Sequence, residues 1–160
     1  MPDLIGLLLR LADAGFRFVL VGGYAAMTHG SSLMTQDIDV CADFDAANLL
    51  RLNDALARLH AVHRMTPQRL PLELNAQVCQ GLKNLYLSTD CGQLDILSEV
   101  TGVGAFGDVL ARSIQIELRG RVISVLNLDA LIIAKQAMGR PRDKEAVLQL
   151  QAIRELRDRR

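Results

Sequence analysis

A chain of 160 residues, half of them hydrophobic, fits a single domain with one core. Its 18 basic and 18 acidic residues cancel to a formal net charge of zero, which sets it apart from strongly basic nucleic-acid binders and leaves only local patches for RNA. Cys41, Cys79 and Cys91 have no short paired spacing, which speaks against a disulfide framework or a zinc site and for a reduced, cytoplasmic compartment; no signal-peptide pattern or membrane-length apolar run is visible.

Leu4, Leu7, Leu8 and Leu11 recur at helical spacing over residues 3–14, with Gly15 as the stop. Residues 16–21 read as a buried strand, Gly22 and Gly23 as the turn after it, and residues 24–29 as a short helix. After a loop at 30–32, residues 37–42 read as the second strand. Residues 46–62 predict one long amphipathic helix, with Leu49, Leu52, Leu56 and Leu59 as its core stripe. Pro67 and Pro71 make 63–83 irregular, with room for one short strand.

Residues 84–98 alternate on either side of Thr89-Asp90-Cys91-Gly92, a hairpin signal. Thr101, Gly102, Gly104 and Gly107 make 99–107 a loop, followed by a short helix at 106–112. Residues 114–118 and 122–126 form a second hairpin across Arg119-Gly120. Asn127 caps a helix over 128–138, which Gly139 and Pro141 end, and 143–157 is the last helix.

The chemistry is concentrated in the stretch from Val21 to Val40. Side chains alternate along a strand, so Asp37 and Asp39 share one face while Ile38 and Val40 share the other. Two carboxylates on one face repel, and burying them unpaired would cost several kcal/mol. A divalent cation between them turns that repulsion into a binding site, and hard oxygen ligands suit magnesium or manganese. Asp95, set between Leu94 and Ile96, supplies a third carboxylate from another strand. Three such acids on neighbouring strands can hold cations together with the phosphates of a nucleotide. Gly22 and Gly23 serve a tight strand-to-helix turn and also let a phosphate approach the backbone. Thr35 suits either a phosphate contact or the entry to the strand. His29 reads as a helix-end residue, Ser31 and Ser32 as loop residues, and His60 and His63 as surface residues.

This pattern, hydrophobic-Gly-Gly, a spacer, then Asp37-Ile38-Asp39-Val40 and a later Asp95, resembles the nucleotidyltransferase superfamily of DNA polymerase beta. Within it, Gly-Gly-Tyr-Ala…His-Gly…Thr-Gln-Asp-Ile-Asp-Val resembles small bacterial toxins of the AbiEii-like type. The segment from Leu126 to Glu145, with Lys135 and Arg140-Pro-Arg-Asp-Lys144, resembles their closing helix pair. The resemblance implies an α/β fold with a small mixed central sheet flanked by helices. It places the whole of 1–160 in one nucleotidyltransferase-like domain, with a motif core at about 15–100 and C-terminal helices at about 127–157.

The activity implied is metal-dependent transfer of a nucleoside monophosphate from an NTP to an acceptor hydroxyl. Asp37, Asp39 and Asp95 would bind Mg2+ or Mn2+ and carry catalysis, while Gly22, Gly23, Thr35 and Lys135 would hold the nucleotide. RNA, including a tRNA 3′ end, is the acceptor implied, with a partner antitoxin protein in a toxin–antitoxin pair and no membrane involvement. Leu33 stands where many relatives carry an arginine, which removes a cation from beside the phosphates. Two other readings stay open here: a small-molecule transferase of the aminoglycoside-modifying type, and a non-catalytic nucleotide-binding or interaction protein.

Overall fold

The structure, a computed structural model, describes residues 2–160. Helix α1 (Leu4–Asp13) leads into strand β1 (Phe18–Val21), helix α2 (Gly22–Thr28) and strand β2 (Asp37–Ala42). Two short helices, α3 (Ala46–Leu50) and α4 (Leu52–Ala55), precede β3 (Val62–His63) and the hairpin of β4 (Asn84–Thr89) and β5 (Gly92–Leu97). A small ladder of β6 (Glu99–Val100) and β7 (Gly104–Ala105) is followed by α5 (Phe106–Ala111). The chain closes with the hairpin of β8 (Ser113–Leu118) and β9 (Arg121–Leu126), then α6 (Leu128–Met138) and α7 (Pro141–Asp158).

Seven strands form one mixed sheet in the order β3-β4-β5-β2-β1-β9-β8. β2 runs antiparallel to β1 and parallel to β5, and β1 runs parallel to β9. The architecture is therefore mixed α/β, with the strands of the motif region at the centre of the sheet. Each central strand earns its place by its apolar residues. Val19 and Leu20 in β1, Ile38 and Val40 in β2, and Leu94 and Ile96 in β5 are completely buried. α1 adds Leu7, Leu8 and Leu11 to the same core, and Asp3 caps it by accepting from the Gly6 N–H at 2.9 Å.

Three local expectations are revised. The long helix expected over 46–62 is two short helices, followed by turns with Arg58 and His60 in the left-handed region at φ 66° and 51°. Leu49, Leu52, Leu56 and Leu59 are buried all the same. A broken helix that keeps turning toward one core satisfies a leucine stripe as well as a straight one, and the break brings the chain back to the sheet edge at β3. Asn48 anchors the start of α3: its side chain accepts from Arg17 N (2.7 Å) and donates to the carbonyls of Arg17 (3.1 Å) and Asp43 (2.7 Å). The loop expected at 99–107 contains the β6–β7 ladder, whose glycine Gly104 takes φ 132°. The helix expected from residue 24 begins at Gly22, directly after β1.

The C-terminal helix α7 ties down the segment that leads into β2. Gln149 Oε1 accepts from Ser31 Oγ (2.6 Å) and Ser32 N (3.1 Å), and Gln149 Nε2 donates to Ser32 Oγ (2.8 Å). His29 is buried at the end of α2, with Nε2 2.9 Å from Leu126 O and Nδ1 3.1 Å from Arg157 Nη1. Those partners assign the neutral tautomer that donates from Nε2 and accepts at Nδ1. Burial lowers the His29 pKa, and the Arg157 charge lowers it further against the opposing pull of the Leu126 carbonyl. His29, Ser31 and Ser32 are thus fastened to the scaffold. Among the described residues, no helix is long and apolar enough to cross a membrane, and Cys41, Cys79 and Cys91 are free thiols.

Candidate functional site

Strand register brings the acids together. In the parallel pair of β2 and β5, Asp39 stands directly opposite Asp95. In the antiparallel pair of β1 and β2, Asp39 stands opposite Val21, the last residue before Gly22. Asp37 lies two residues earlier on the same face of β2, and both β2 acids are half-buried while Ile38 and Val40 are fully buried. Carboxylates from two strands and the Gly22 turn therefore meet at one point at the centre of the sheet.

The electrostatics show how closely they meet. The Asp39 pKa is pushed from an ordinary 3.8 up to about 6, chiefly by burial and then by the charges of Asp95 and Asp37. Lys135 opposes that rise, and the Asp95 carboxyl lies within hydrogen-bonding reach of Asp39. Lys135 in α6 is itself half-buried, and burial lowers its pKa against the pull of Asp143 and Asp39. Its Nζ is 3.8 Å from Asp143 Oδ1, and Arg140 Nε donates to Asp143 Oδ2 at 2.6 Å. A cleft of about 510 Å³ opens beside these groups, with Gly22, Asp39, Tyr86, Lys135 and Arg140 among its lining. Leu126, Leu131, Ala134 and Met138 give the same cleft an apolar wall.

Both glycines are required by space. Gly22 takes φ 72°, and a Cβ there would collide with Asp39 Oδ2 and lie 2.9 Å from Asp39 Cβ. A Cβ on Gly23 would lie 3.1 Å from Thr35 Cβ. Replacing Gly22 by alanine therefore combines backbone strain with a clash against the central acid. We expect Gly22→Ala to lose about 2–3 kcal/mol in urea denaturation; unchanged stability would show that Asp39 swings clear. Thr35 Oγ1 lies 3.4 Å from the N–H and the carbonyl of Asp37, which places it at the entry to β2.

Two residues outside the expected set belong to this neighbourhood. Arg64, just past β3, grips both oxygens of Asp95, with Nη1 2.5 Å from Oδ1 and Nη2 3.2 Å from Oδ2. Asp143, 1% exposed, holds Arg140 and Lys135 at the cleft. Arg64 lies in the irregular segment after His63, where no periodicity marks it. Asp143 carries a local signal, because an acid three residues after Arg140 with Pro141 between them marks a helix start.

Among the described residues, no group of three or more His, Cys, Asp or Glu side chains is arranged so as to hold a metal ion. The chemistry of the donors still fits a hard divalent cation: oxygen ligands only, with mutual repulsion that adds to burial in raising the Asp39 pKa to about 6. Asp37, Asp39 and Asp95 would hold such an ion. The structure brings together Asp37, Asp39, Asp95, Gly22 and Lys135, and sets Gly23 and Thr35 as packing partners beside Asp37. No family model matches the chain, and no curated protein matches it.

Proposed function

We propose that the protein is a nucleotidyltransferase of the polymerase-beta type, transferring a nucleoside monophosphate from an NTP to an acceptor hydroxyl. The observation that supports this most is the register pairing of Asp39 with Asp95 beside the Gly22 turn, at a cleft lined by Lys135. In the reaction, the acceptor oxygen attacks the α-phosphorus and loses its proton to solvent. The bond from the α-phosphorus to the bridging oxygen breaks, and pyrophosphate leaves. A divalent cation, when bound, would lower the pKa of the acceptor hydroxyl and offset charge on the phosphates.

The remaining work falls to the chain's own groups. Gly22, without a Cβ, makes room for the Asp39 carboxylate at the start of α2, where the triphosphate would lie. Lys135 and Arg140 bring positive charge to the phosphate end of the cleft. The apolar wall of Leu126, Leu131, Ala134 and Met138 suits a nucleoside face. Catalysis of this kind is positioning and charge neutralisation.

The proposed acceptor is RNA. A small-molecule acceptor is the second reading, favoured by the cleft volume of about 510 Å³, which lies in the range of small-molecule sites. Incubating the protein with each radiolabelled NTP, Mg2+ and total cellular RNA separates them. Label in RNA with the wild type, and none with Asp37→Ala/Asp39→Ala, is the expected result. Nucleotide bound in a Mg2+-dependent way with no label in RNA would direct the search to small acceptors. Absence of Mg2+-dependent nucleotide binding would overturn the enzymatic reading.

A further inference from the structure

The ion pairs around the three acids are uneven. Among the described residues, Asp95 is paired with Arg64, whereas no salt bridge reaches Asp37 or Asp39. The Arg64–Asp95 pair is two-pronged and mostly shielded, with side-chain exposures of 18% and 17%. A guanidinium fork on a carboxylate is among the stronger protein hydrogen-bond arrangements, and water screens it weakly at that depth.

Arg64 is also held in place from behind. Its N–H donates to Tyr86 O at 2.8 Å, its guanidinium lies 5.9 Å from the centre of the Tyr86 ring, and Nη1 reaches Leu87 O at 3.4 Å. Tyr86 is the cross-strand partner of Asp95 and lines the cleft. A divalent ion brought to Asp95 meets a fixed positive charge on the oxygens it needs. Repulsion at that range in a partly dried site is substantial.

We propose that Arg64 is the resident counter-cation of Asp95 and competes with a divalent cation for that carboxylate, so that Arg64 sets the cation affinity of the acid cluster. This rests on reading Asp37, Asp39 and Asp95 as a cation site. Arg64 holds the Asp95 carboxylate in a two-pronged grip in the metal-free protein, and loading the third acid requires the guanidinium to withdraw. The Tyr86 ring and the Leu87 carbonyl remain available to it when it does.

The test is Mn2+ binding to the nucleotide-free 160-residue chain, followed by the electron paramagnetic resonance signal of free Mn2+. Arg64→Gln should bind Mn2+ on the order of tenfold more tightly than the wild type, and Arg64→Met, which keeps the apolar stem, should do the same. In an Asp95→Asn background the Arg64→Gln effect should vanish. A role in packing alone would weaken Mn2+ binding, so the direction of change separates the two. Binding in Arg64→Gln no tighter than in the wild type overturns the competition and leaves the cation site standing. No Mn2+ binding in either protein overturns both. A readout independent of any variant's folding is the 15N signal of the Arg64 side chain in the wild type. It should shift on Mg2+ saturation, and an unmoved signal overturns the proposal.

Discussion

Asp39→Asn is expected to reduce the proposed nucleotidyl transfer by at least about a thousandfold, while making the metal-free protein more stable at pH 7. The two effects have one cause. Asp39 is half-buried among other carboxylates, with its pKa raised from 3.8 to about 6. A carboxyl whose pKa is raised on folding binds more protons in the folded state than in the unfolded one. Its contribution is therefore fully present below pH 4 and is lost as pH rises through about 6. The difference between 3.8 and about 6 amounts to roughly 3 kcal/mol at most. Asparagine removes the charge and keeps the shape, so a gain of about 1–3 kcal/mol in urea denaturation with EDTA is expected at neutral pH. The same variant should flatten the decline in wild-type stability between pH 4 and pH 7. Transfer activity surviving in Asp39→Asn would remove the aspartate from the chemistry. An unchanged pH profile of stability would show that the repulsion is relieved some other way.

Asp143→Ala should act in the opposite sense, destabilising the fold by about 2–4 kcal/mol in the same denaturation experiment. Asp143 is 1% exposed and accepts from the Arg140 N–H (3.1 Å), Nε (2.6 Å) and Nη2 (3.2 Å), with Lys135 Nζ at 3.8 Å. Removing it leaves Lys135 half-buried without its nearest acid and deprives α7 of its N-terminal lock. Arg140 is 41% exposed and can turn to water, which keeps the loss below that of a fully interior pair. The Asp143 pKa is lowered, chiefly by the Arg140 hydrogen bond. Its stabilising contribution is therefore present above the ordinary aspartate range and is lost as pH falls below it. Asp143→Asn should consequently match the wild type more closely in acid than at pH 7. A loss under about 0.5 kcal/mol for Asp143→Ala would show that Arg140 and Lys135 find other partners.

Much of this architecture is legible in the sequence where local rules and tertiary context agree. The alternation around Asp37 and Asp39 gives both the strand and its buried face, and Ile38 and Val40 are indeed fully buried. Both hairpins, the Asn127 cap and the Gly139 stop form as their turn chemistry dictates. The single helix over 46–62 fails because a leucine period reports which side faces the core and says nothing of continuity. Asn48, a buried polar residue inside that stripe, ties the start of α3 to Arg17 and Asp43. The pairing of Asp39 with Asp95 is a matter of strand order, and no spacing between positions 39 and 95 encodes it. Arg64 is harder still, since its partner lies 31 residues away and its own segment has no periodicity.

The hold of α7 on the segment before β2 bears on the order in which a functional protein can arise. Gln149 meets Ser31 across 118 residues of chain, and Arg157 meets His29 across 128. Synthesis proceeds from the N-terminus, so the strand bearing Asp37 and Asp39 leaves the ribosome long before the helix that braces its approach. A nascent chain that already contains every proposed ligand still lacks that brace. The brace on the approach to β2 therefore forms only once translation has delivered α7.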